Sequence, residues 1–238
     1  MLLIRSLFFD LCLYSVMLVM GIVCAPLAFV SRDGAYWAMS RYCWIVFWMM
    51  RWIVGMKLEV RGQVPQGECI VASKHQSFLD IIILMGTLPR PKFVMKKEIR
   101  WTPIVGFYAG QIGCTPVDRG KRAATMQALV EDVEEQAEDP GQIVIYPQGT
   151  RVAPGAKLPY KVGAGVLYER FNLPCVPAAT NAGDFWGRHS LIRRPGTVVM
   201  EFLDPIPPGL EVRNFMAQIE TVVEDASDAL HEEALAAR

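Results

Sequence analysis

The 238-residue sequence lacks the residue patterns that mark most metal, redox and hydrolytic sites. Its six cysteines form no C-x-x-C pair and half of them lie in apolar stretches, so we expect neither a disulfide framework nor a zinc site. Its three histidines form no H-E-x-x-H motif. G-x-S-x-G and the P-loop are also absent, which argues against common hydrolases and nucleotide-binding enzymes. We therefore expect a protein of a reducing compartment that uses no metal and no cofactor.

Charge is scarce as well, at 20% of residues against 52% hydrophobic, which excludes a disordered or low-complexity chain and indicates contact with lipid. The net charge of zero hides a basic centre, because residues 56–128 hold 11 Lys and Arg against five Asp and Glu. The two acidic blocks, 129–142 and 211–238, indicate helices with a solvated face. We expect an anionic ligand or surface as partner, and no nucleic acid.

The N-terminus contains an uncharged run over residues 11–30, between Asp10 and Arg32. Twenty apolar residues are enough to cross a bilayer. A cleaved signal peptide is the alternative, but Asp10 interrupts its early region and no clear A-x-A site follows, so we expect the segment to be retained.

The next segment, 36–55, carries a stripe in which Arg41, Trp44, Trp48 and Arg51 are three, four and three residues apart, on one face of a helix. Arginine with tryptophan is typical of a helix at the lipid headgroup level. An ordinary core helix with two surface arginines is the alternative. We interpret residues 1–55 as a two-helix membrane anchor, monotopic or with a single span, before an α/β domain at 56–238.

Beyond residue 55, short apolar runs alternate with amphipathic stretches. This alternation predicts a mixed, largely parallel sheet covered by helices. The predicted strands are 57–61, 69–73, 92–95, 114–117, 142–146, 175–179 and 197–203, and the predicted helices are 77–88, 103–112, 121–138, 161–171 and 211–235.

The first motif is K-H-Q-S-F-L-D at 74–80, where a predicted strand gives way to a helix. Ser77 and Asp80 have the spacing of a capping box, which by itself explains Asp80. His75 lies in the loop at the carboxyl end of the strand, where α/β sheets place their ligands. An Asp80 carboxylate on one ring nitrogen of His75 would make the other nitrogen a general base for a hydroxyl.

Two further motifs, G-C-T-P-V-D-R at 113–119 and Y-P-Q-G-T-R at 146–151, each place an arginine near glycine after a strand. Backbone N–H groups and a guanidinium can together hold an oxyanion. The alternatives are a plain β-turn at 146–149, with proline second and glycine fourth, and surface roles for Arg119 and Arg151.

These blocks, in this order, resemble the glycerophospholipid acyltransferase family, and within it the 1-acyl-glycerol-3-phosphate acyltransferases. The matching family patterns are N-H-x-S-x-x-D, G-x-x-x-x-x-R and F-P-E-G-T-R, followed by F-K-x-G-A at 160–164 and a short hydrophobic-proline block at 176–178. The resemblance covers about residues 56–210. Four of these, all but F-K-x-G-A, are the ordered motifs of the family, and together they are far more specific than any one of them.

The resemblance implies transfer of a fatty acyl group from acyl-CoA or acyl-carrier protein to the free sn-2 hydroxyl of 1-acyl-glycerol-3-phosphate, which makes phosphatidic acid. It implies that His75 is the base and that Asp80 holds its imidazole. It further implies that the acceptor phosphate is bound by the remaining motif residues, with Gln148 nearby, at the cytoplasmic face of the inner membrane. These phosphate-binding residues are Arg119, Gly149, Thr150, Arg151 and Lys161.

Two departures from the family pattern change the charge of the side chain, with Gln148 for glutamate and Lys74 for asparagine. Glutamine keeps a carbonyl acceptor but carries no charge, and Lys74 adds a positive charge beside the expected base. An acyltransferase for another lysolipid, such as a lysophospholipid or a lyso-aminolipid, therefore stays open. So does a non-catalytic membrane lipid-binding protein.

Overall fold

The computed structural model describes residues 1–118, 127, 130, 131, 133, 134 and 139–237. Within them, seven strands form one sheet in the order β1-β7-β6-β2-β5-β3-β4. Neighbouring strands are parallel except β6 and β7, which are antiparallel. The strands are β1 (Met56–Arg61), β2 (Cys69–Ser73), β3 (Pro91–Lys96), β4 (Thr115–Val117), β5 (Gln142–Ile145), β6 (Cys175–Thr180) and β7 (Gly196–Phe202). The predicted mixed sheet is confirmed, with each strand end within one residue of its prediction.

Eight α-helices lie in the described part of the chain. A π-helical turn, Met50–Val54, continues the third, and a 3₁₀ helix, Lys97–Trp101, precedes the fifth. The predicted helix 121–138 lies almost entirely outside the described residues. The eight are α1 (Leu2–Val23), α2 (Ala25–Val30), α3 (Arg32–Met49), α4 (Leu79–Thr87), α5 (Pro103–Gln111), α6 (Gly163–Phe171), α7 (Ala182–Phe185) and α8 (Val212–Ala236).

The central strands bury both faces, as expected of parallel strands between helical layers. Side chains alternate between the two faces of the sheet along β2. Val71 packs in a hydrophobic cluster with residues of α1, α3, α4 and α5, whereas Ile70 and Ala72 pack in a second cluster with residues of α6 and α8. The sheet therefore separates two layers, and the helices that begin the chain belong to the first of them.

The N-terminal helices differ from the prediction in their boundaries. Residues 11–30 do not form one continuous helix. The helix is interrupted at Cys24, two residues before Pro26, which has no N–H to donate. Nor does Asp10 end the apolar helix, since α1 runs through it from Leu2. Its carboxylate accepts a hydrogen bond from the guanidinium of Arg193 at 3.0 Å. A charge inside an apolar helix is tolerated where the folded body supplies its partner.

The first and third helices each bury one face and expose the other. Phe9 and Leu13 of α1 are fully buried, while most of its other apolar side chains are exposed. Among the described residues, α1 is the one helix long and apolar enough to cross a membrane. The predicted Arg and Trp stripe lies on the exposed face of α3, where Trp44 and Trp48 are 62% and 54% exposed. The chain thus presents a broad apolar surface on the first of the two layers.

Candidate active site

Three adjacent parallel strands, β2, β5 and β6, end at the same edge of the sheet. His75 follows β2 and Tyr146 follows β5, so the first and third motifs meet there. The backbone N–H of Val152 donates to the carbonyl oxygen of His75 at 2.8 Å, which ties the two loops together. This edge is where open α/β sheets bind ligands.

His75 and Asp80 form the pair expected from the sequence. Nδ1 of His75 lies 3.1 Å from Oδ2 of Asp80. The same oxygen accepts from the backbone N–H groups of Gln76 and Ser77, at 2.6 and 2.8 Å. An oxygen held by two backbone donors accepts the proton on Nδ1, which leaves Nε2 with its lone pair. No described residue bonds to that nitrogen, so it is free to take a proton.

The capping box is confirmed in part. Asp80 reaches back to the backbone N–H of Ser77, but the helix begins at Leu79, two residues after Ser77. The Ser77 hydroxyl accepts from the N–H of Leu79 and donates to the carbonyl oxygen of Trp186 at 2.6 Å. The start of α4 is therefore fixed to both the first motif and the loop after α7, which limits the movement of Asp80.

The third motif is a tight turn against His75. The N–H of Gly149 donates to the carbonyl oxygen of Tyr146 at 2.8 Å, which is the hydrogen bond of a β-turn, the alternative interpretation of residues 146–149. The ring of Tyr146 stacks on the imidazole of His75, with centroids 4.0 Å apart. Burial raises the pKa of Tyr146 well above its usual value and the Asp80 carboxylate adds to the rise, so the phenol stays protonated. Tyr146 thus supports the imidazole as a flat neutral surface.

Positive charge gathers beside this turn. Gly149 has φ +68°, a conformation that favours glycine, and a Cβ there would lie 2.7 Å from the Nζ of Lys161, so a larger residue would displace the end of the Lys161 side chain. The Lys161 N–H donates to the carbonyl oxygen of Pro147 at 2.8 Å. Lys161 precedes α6, which begins at Gly163 and not at 161 as predicted. Among the described residues, none pairs with the side chain of Arg151 or of Lys161, so both cations are available to an anion.

Of the predicted site residues, seven are brought to this edge: His75, Asp80, Gln148, Gly149, Thr150, Arg151 and Lys161. Arg119 lies outside the described residues, and its role in phosphate binding stays a prediction. Arg188 also lies at this edge, although the sequence did not predict it there. Its Nη1 donates to the carbonyl oxygen of Arg151 at 3.4 Å. No motif marks Arg188 in the sequence, because only the fold brings it next to the third block.

The two residues whose charge departs from the family pattern are both buried, at 1% exposure for Lys74 and 3% for Gln148. The expected role of Gln148 near the phosphate would place it against an arginine, but among the described residues its side chain bonds to no arginine. Its Nε2 donates to Oε1 of Glu224 at 3.2 Å, and the Lys74 ammonium lies 2.6 Å from the other oxygen of that carboxylate. The charge of Lys74 is therefore balanced by Glu224.

An apolar pocket opens beside the first motif. Met17 and Met20 of α1, Tyr42 of α3 and Ile81 of α4 contribute to its lining. Ile81 follows Asp80 directly, so the pocket adjoins the His–Asp pair through α4. The exposed N-terminal helices thus form one wall of a cavity that can take a hydrocarbon chain.

Comparison with known proteins places this arrangement in a family. A family model described as acyltransferase matches residues 57–181, which include the first and third motifs. The chain belongs to the acyltransferase family. The resemblance seen in its motifs is thereby confirmed.

Named relatives of this acyltransferase are 1-acyl-sn-glycerol-3-phosphate acyltransferases. One from Pseudomonas aeruginosa is 28% identical over 161 residues, which cover 67% of this chain and 63% of the relative. The human beta enzyme is 30% identical over 186 residues, covering 74% of this chain and 67% of that protein. The match to a relative from Cocos nucifera, 28% identical, spans 52% of that relative's length.

A solved structure shows the same fold. The crystal structure of the 1-acyl-sn-glycerophosphate acyltransferase from Thermotoga maritima aligns with a TM-score of 0.79 and 19% identity, over 96% of this acyltransferase and 95% of that chain. The alignment takes in the N-terminal helices as well as the sheet. The helices that begin the chain are thus part of the shared architecture.

Proposed function

We propose that this acyltransferase moves a fatty acyl group from an acyl thioester to the sn-2 hydroxyl of 1-acyl-glycerol-3-phosphate and so produces phosphatidic acid. The observation that carries the proposal is the His75 imidazole, with Nδ1 held by Asp80 and Nε2 unpaired among the described residues, at an edge that also presents two unpaired cations. A base that accepts a hydroxyl proton and cations that hold a phosphate are what this acceptor requires.

The proposed reaction needs one base and no covalent enzyme intermediate. Nε2 of His75 takes the proton from the acceptor hydroxyl as its oxygen attacks the thioester carbonyl carbon. A carbon–oxygen bond forms, and the resulting tetrahedral species expels the thiolate as the carbon–sulfur bond breaks. The imidazolium then returns the proton to the thiolate sulfur. Throughout, Asp80 keeps the ring oriented and Tyr146 supports one of its faces.

The acceptor phosphate is proposed to lie against Arg151 and Lys161, with the hydroxyl of Thr150 beside them and with Arg119 as a further cation. A guanidinium binds phosphate through two parallel hydrogen bonds, whereas an ammonium acts as a point charge. Gly149 lets the Lys161 ammonium approach the turn closely, because no Cβ stands in its way.

Association with a membrane follows from the proposed substrates and from the N-terminal surface. Both substrates carry acyl chains, and the apolar pocket has a wall built from α1, whose outer face is exposed. Tryptophans on α3 are suited to the headgroup level. We propose that α1 and α3 lie in the cytoplasmic leaflet of the inner membrane, so that lipid enters the pocket from the side.

An acceptor panel tests the proposal. Purified protein in detergent–lipid micelles is given radiolabelled palmitoyl-CoA with lysophosphatidate, lysophosphatidylcholine or a lyso-aminolipid. We expect the highest kcat/KM on lysophosphatidate. Preference for a lysolipid without a phosphate monoester would establish the other acyltransferase hypothesis, and binding without turnover on any acceptor would support a lipid-binding protein. The same panel with palmitoyl-acyl-carrier protein identifies the donor.

A further inference from the structure

Glu224, on the C-terminal helix α8, contacts the two residues whose charge departs from the family pattern, Lys74 and Gln148. Its Oε2 lies 2.6 Å from the Lys74 ammonium, and its Oε1 accepts from the Gln148 amide at 3.2 Å. Oε1 also accepts from the hydroxyl of Tyr160 at 3.0 Å. One carboxylate thus receives hydrogen bonds from three separate segments.

The partners of Glu224 are held in defined states by burial. Side-chain exposure is 1% for Lys74 and 6% for Glu224, so the ion pair is shielded from water. Burial raises the pKa of Tyr160 far above its usual value, with the Glu224 carboxylate adding to the rise, so the phenol remains a donor. The Gln148 amide turns its nitrogen towards the carboxylate because its oxygen would be repelled there.

Charge explains why position 148 holds glutamine in this chain. A glutamate at 148 would put a second carboxylate about as close to Glu224 as the present 3.2 Å between Nε2 and Oε1. Lys74 alone would then face two buried anions, and like charges at this separation repel strongly where water is excluded. Lys74, Gln148 and Glu224 therefore form a matched set with one cation and one anion.

Each donor to Glu224 stands next to a residue of the proposed site. Lys74 precedes His75, Gln148 precedes Gly149, and Tyr160 precedes Lys161. The base, the turn and one phosphate-binding cation are therefore each one residue away from the same carboxylate.

We propose that Glu224 is a positioning residue, whose carboxylate holds these three segments in the arrangement needed for acyl transfer. The carboxylate that the family pattern has at 148 is in this chain supplied from α8. The inference deepens the proposed function and rests on it.

The test exchanges the carboxylate of position 224 with the amide of position 148. Glu224→Gln leaves the Lys74 cation unpaired, and Gln148→Glu adds a second anion, whereas the double variant restores one carboxylate and one amide. Glu233→Gln is the matched control, because Glu233 lies on the same helix in an exposed ion pair with Arg61, away from the site. For each protein we measure kcat, acceptor KM and the midpoint of thermal unfolding, on the acceptor that the wild type uses best.

We expect each single variant to lose about 10- to 100-fold in kcat, since an error of ~1 Å in position can cost about 100-fold. Acceptor KM should rise by a smaller factor than kcat falls, because of the three segments only that of Tyr160 leads directly into a phosphate-binding cation, and the double variant should recover most of the lost kcat. The Glu233→Gln control should keep wild-type kcat. This split between kcat and KM, with rescue by exchange, is not expected of a contact that only stabilises the fold.

Several results would overturn the inference. Glu224→Gln with the kcat of the control would show that the carboxylate positions nothing. A double variant that folds yet stays as inactive as the singles, or that fails to fold, would show that the charge is not exchangeable. If the wild type acylates no lysolipid at all, the proposed function is wrong. The positions 148 and 224 are then compared by thermal unfolding alone, and the double variant must unfold at a higher temperature than either single variant.

Discussion

Asp80→Asn separates the two roles that the structure gives to this carboxylate. Oδ2 accepts three hydrogen bonds, from His75 Nδ1 and from the backbone N–H groups of Gln76 and Ser77. Hydrogen bonds to a charged acceptor contribute roughly 1.5–3 kcal/mol each, against about 0.5–1.5 for neutral ones. Losing the charge should therefore cost about 3 kcal/mol over the three bonds. A chain of this size loses about 2–4 °C in the midpoint of thermal unfolding per kcal/mol, so this midpoint should fall by roughly 6–12 °C.

Activity should also fall, because the imidazole loses the partner that sets its tautomer and orientation. The loss should be smaller than for His75→Ala, since the base itself remains. The assay compares kcat with thermal unfolding for the two variants and for Asp184→Asn, which alters a second buried His–Asp pair, formed with His231 at 2.9 Å. That control should lose stability and keep its kcat. Wild-type stability and kcat in Asp80→Asn would refute the roles assigned to Asp80.

Three further predictions concern the phosphate, the turn and the membrane. Arg151→Ala should raise acceptor KM about 10- to 100-fold, as a charge-assisted bond worth roughly 1.5–3 kcal/mol is lost, and an unchanged KM in steady-state kinetics would place the phosphate elsewhere. Gly149→Ala should lower both stability and activity, because φ is +68° and the Cβ would displace Lys161, whereas the exposed Gly67→Ala should be neutral in both assays. The protein should stay in the membrane pellet in 1 M salt and be released by detergent, and release by salt alone would contradict insertion of α1.

The sheet was predictable because each strand is a short apolar run between turns, so its position depends on local sequence. The first motif was predictable for a similar reason, since His75 and Asp80 are five residues apart across a strand–helix junction. The start of α1 was not predictable from Asp10, because the partner of its carboxylate, Arg193, is distant in sequence.

Glu224 was not predictable from the sequence. It lies in an acidic block that was interpreted as a solvated helix face, and nothing in its neighbours distinguishes a buried glutamate from an exposed one. Its burial depends on Lys74, 150 residues earlier, which supplies the partner that a buried carboxylate needs. The unusual residues at 74 and 148 were visible, but their common partner is set by tertiary packing.

The most direct measurement of the central claim is acyl transfer from radiolabelled palmitoyl-CoA to lysophosphatidate by wild type and His75→Ala, with thermal unfolding as the check on folding. His75 should be needed for chemistry and only modestly for stability, since its ring makes one hydrogen bond among the described residues, to Asp80, and is partly exposed. The account predicts phosphatidic acid from the wild type and a rate lower by about 10²–10⁴ in the variant. The midpoint of unfolding should fall no further than in Asp80→Asn, because His75→Ala removes one of the three hydrogen bonds to Oδ2 whereas Asp80→Asn weakens all three. A folded His75→Ala protein that forms phosphatidic acid at the wild-type rate would contradict it.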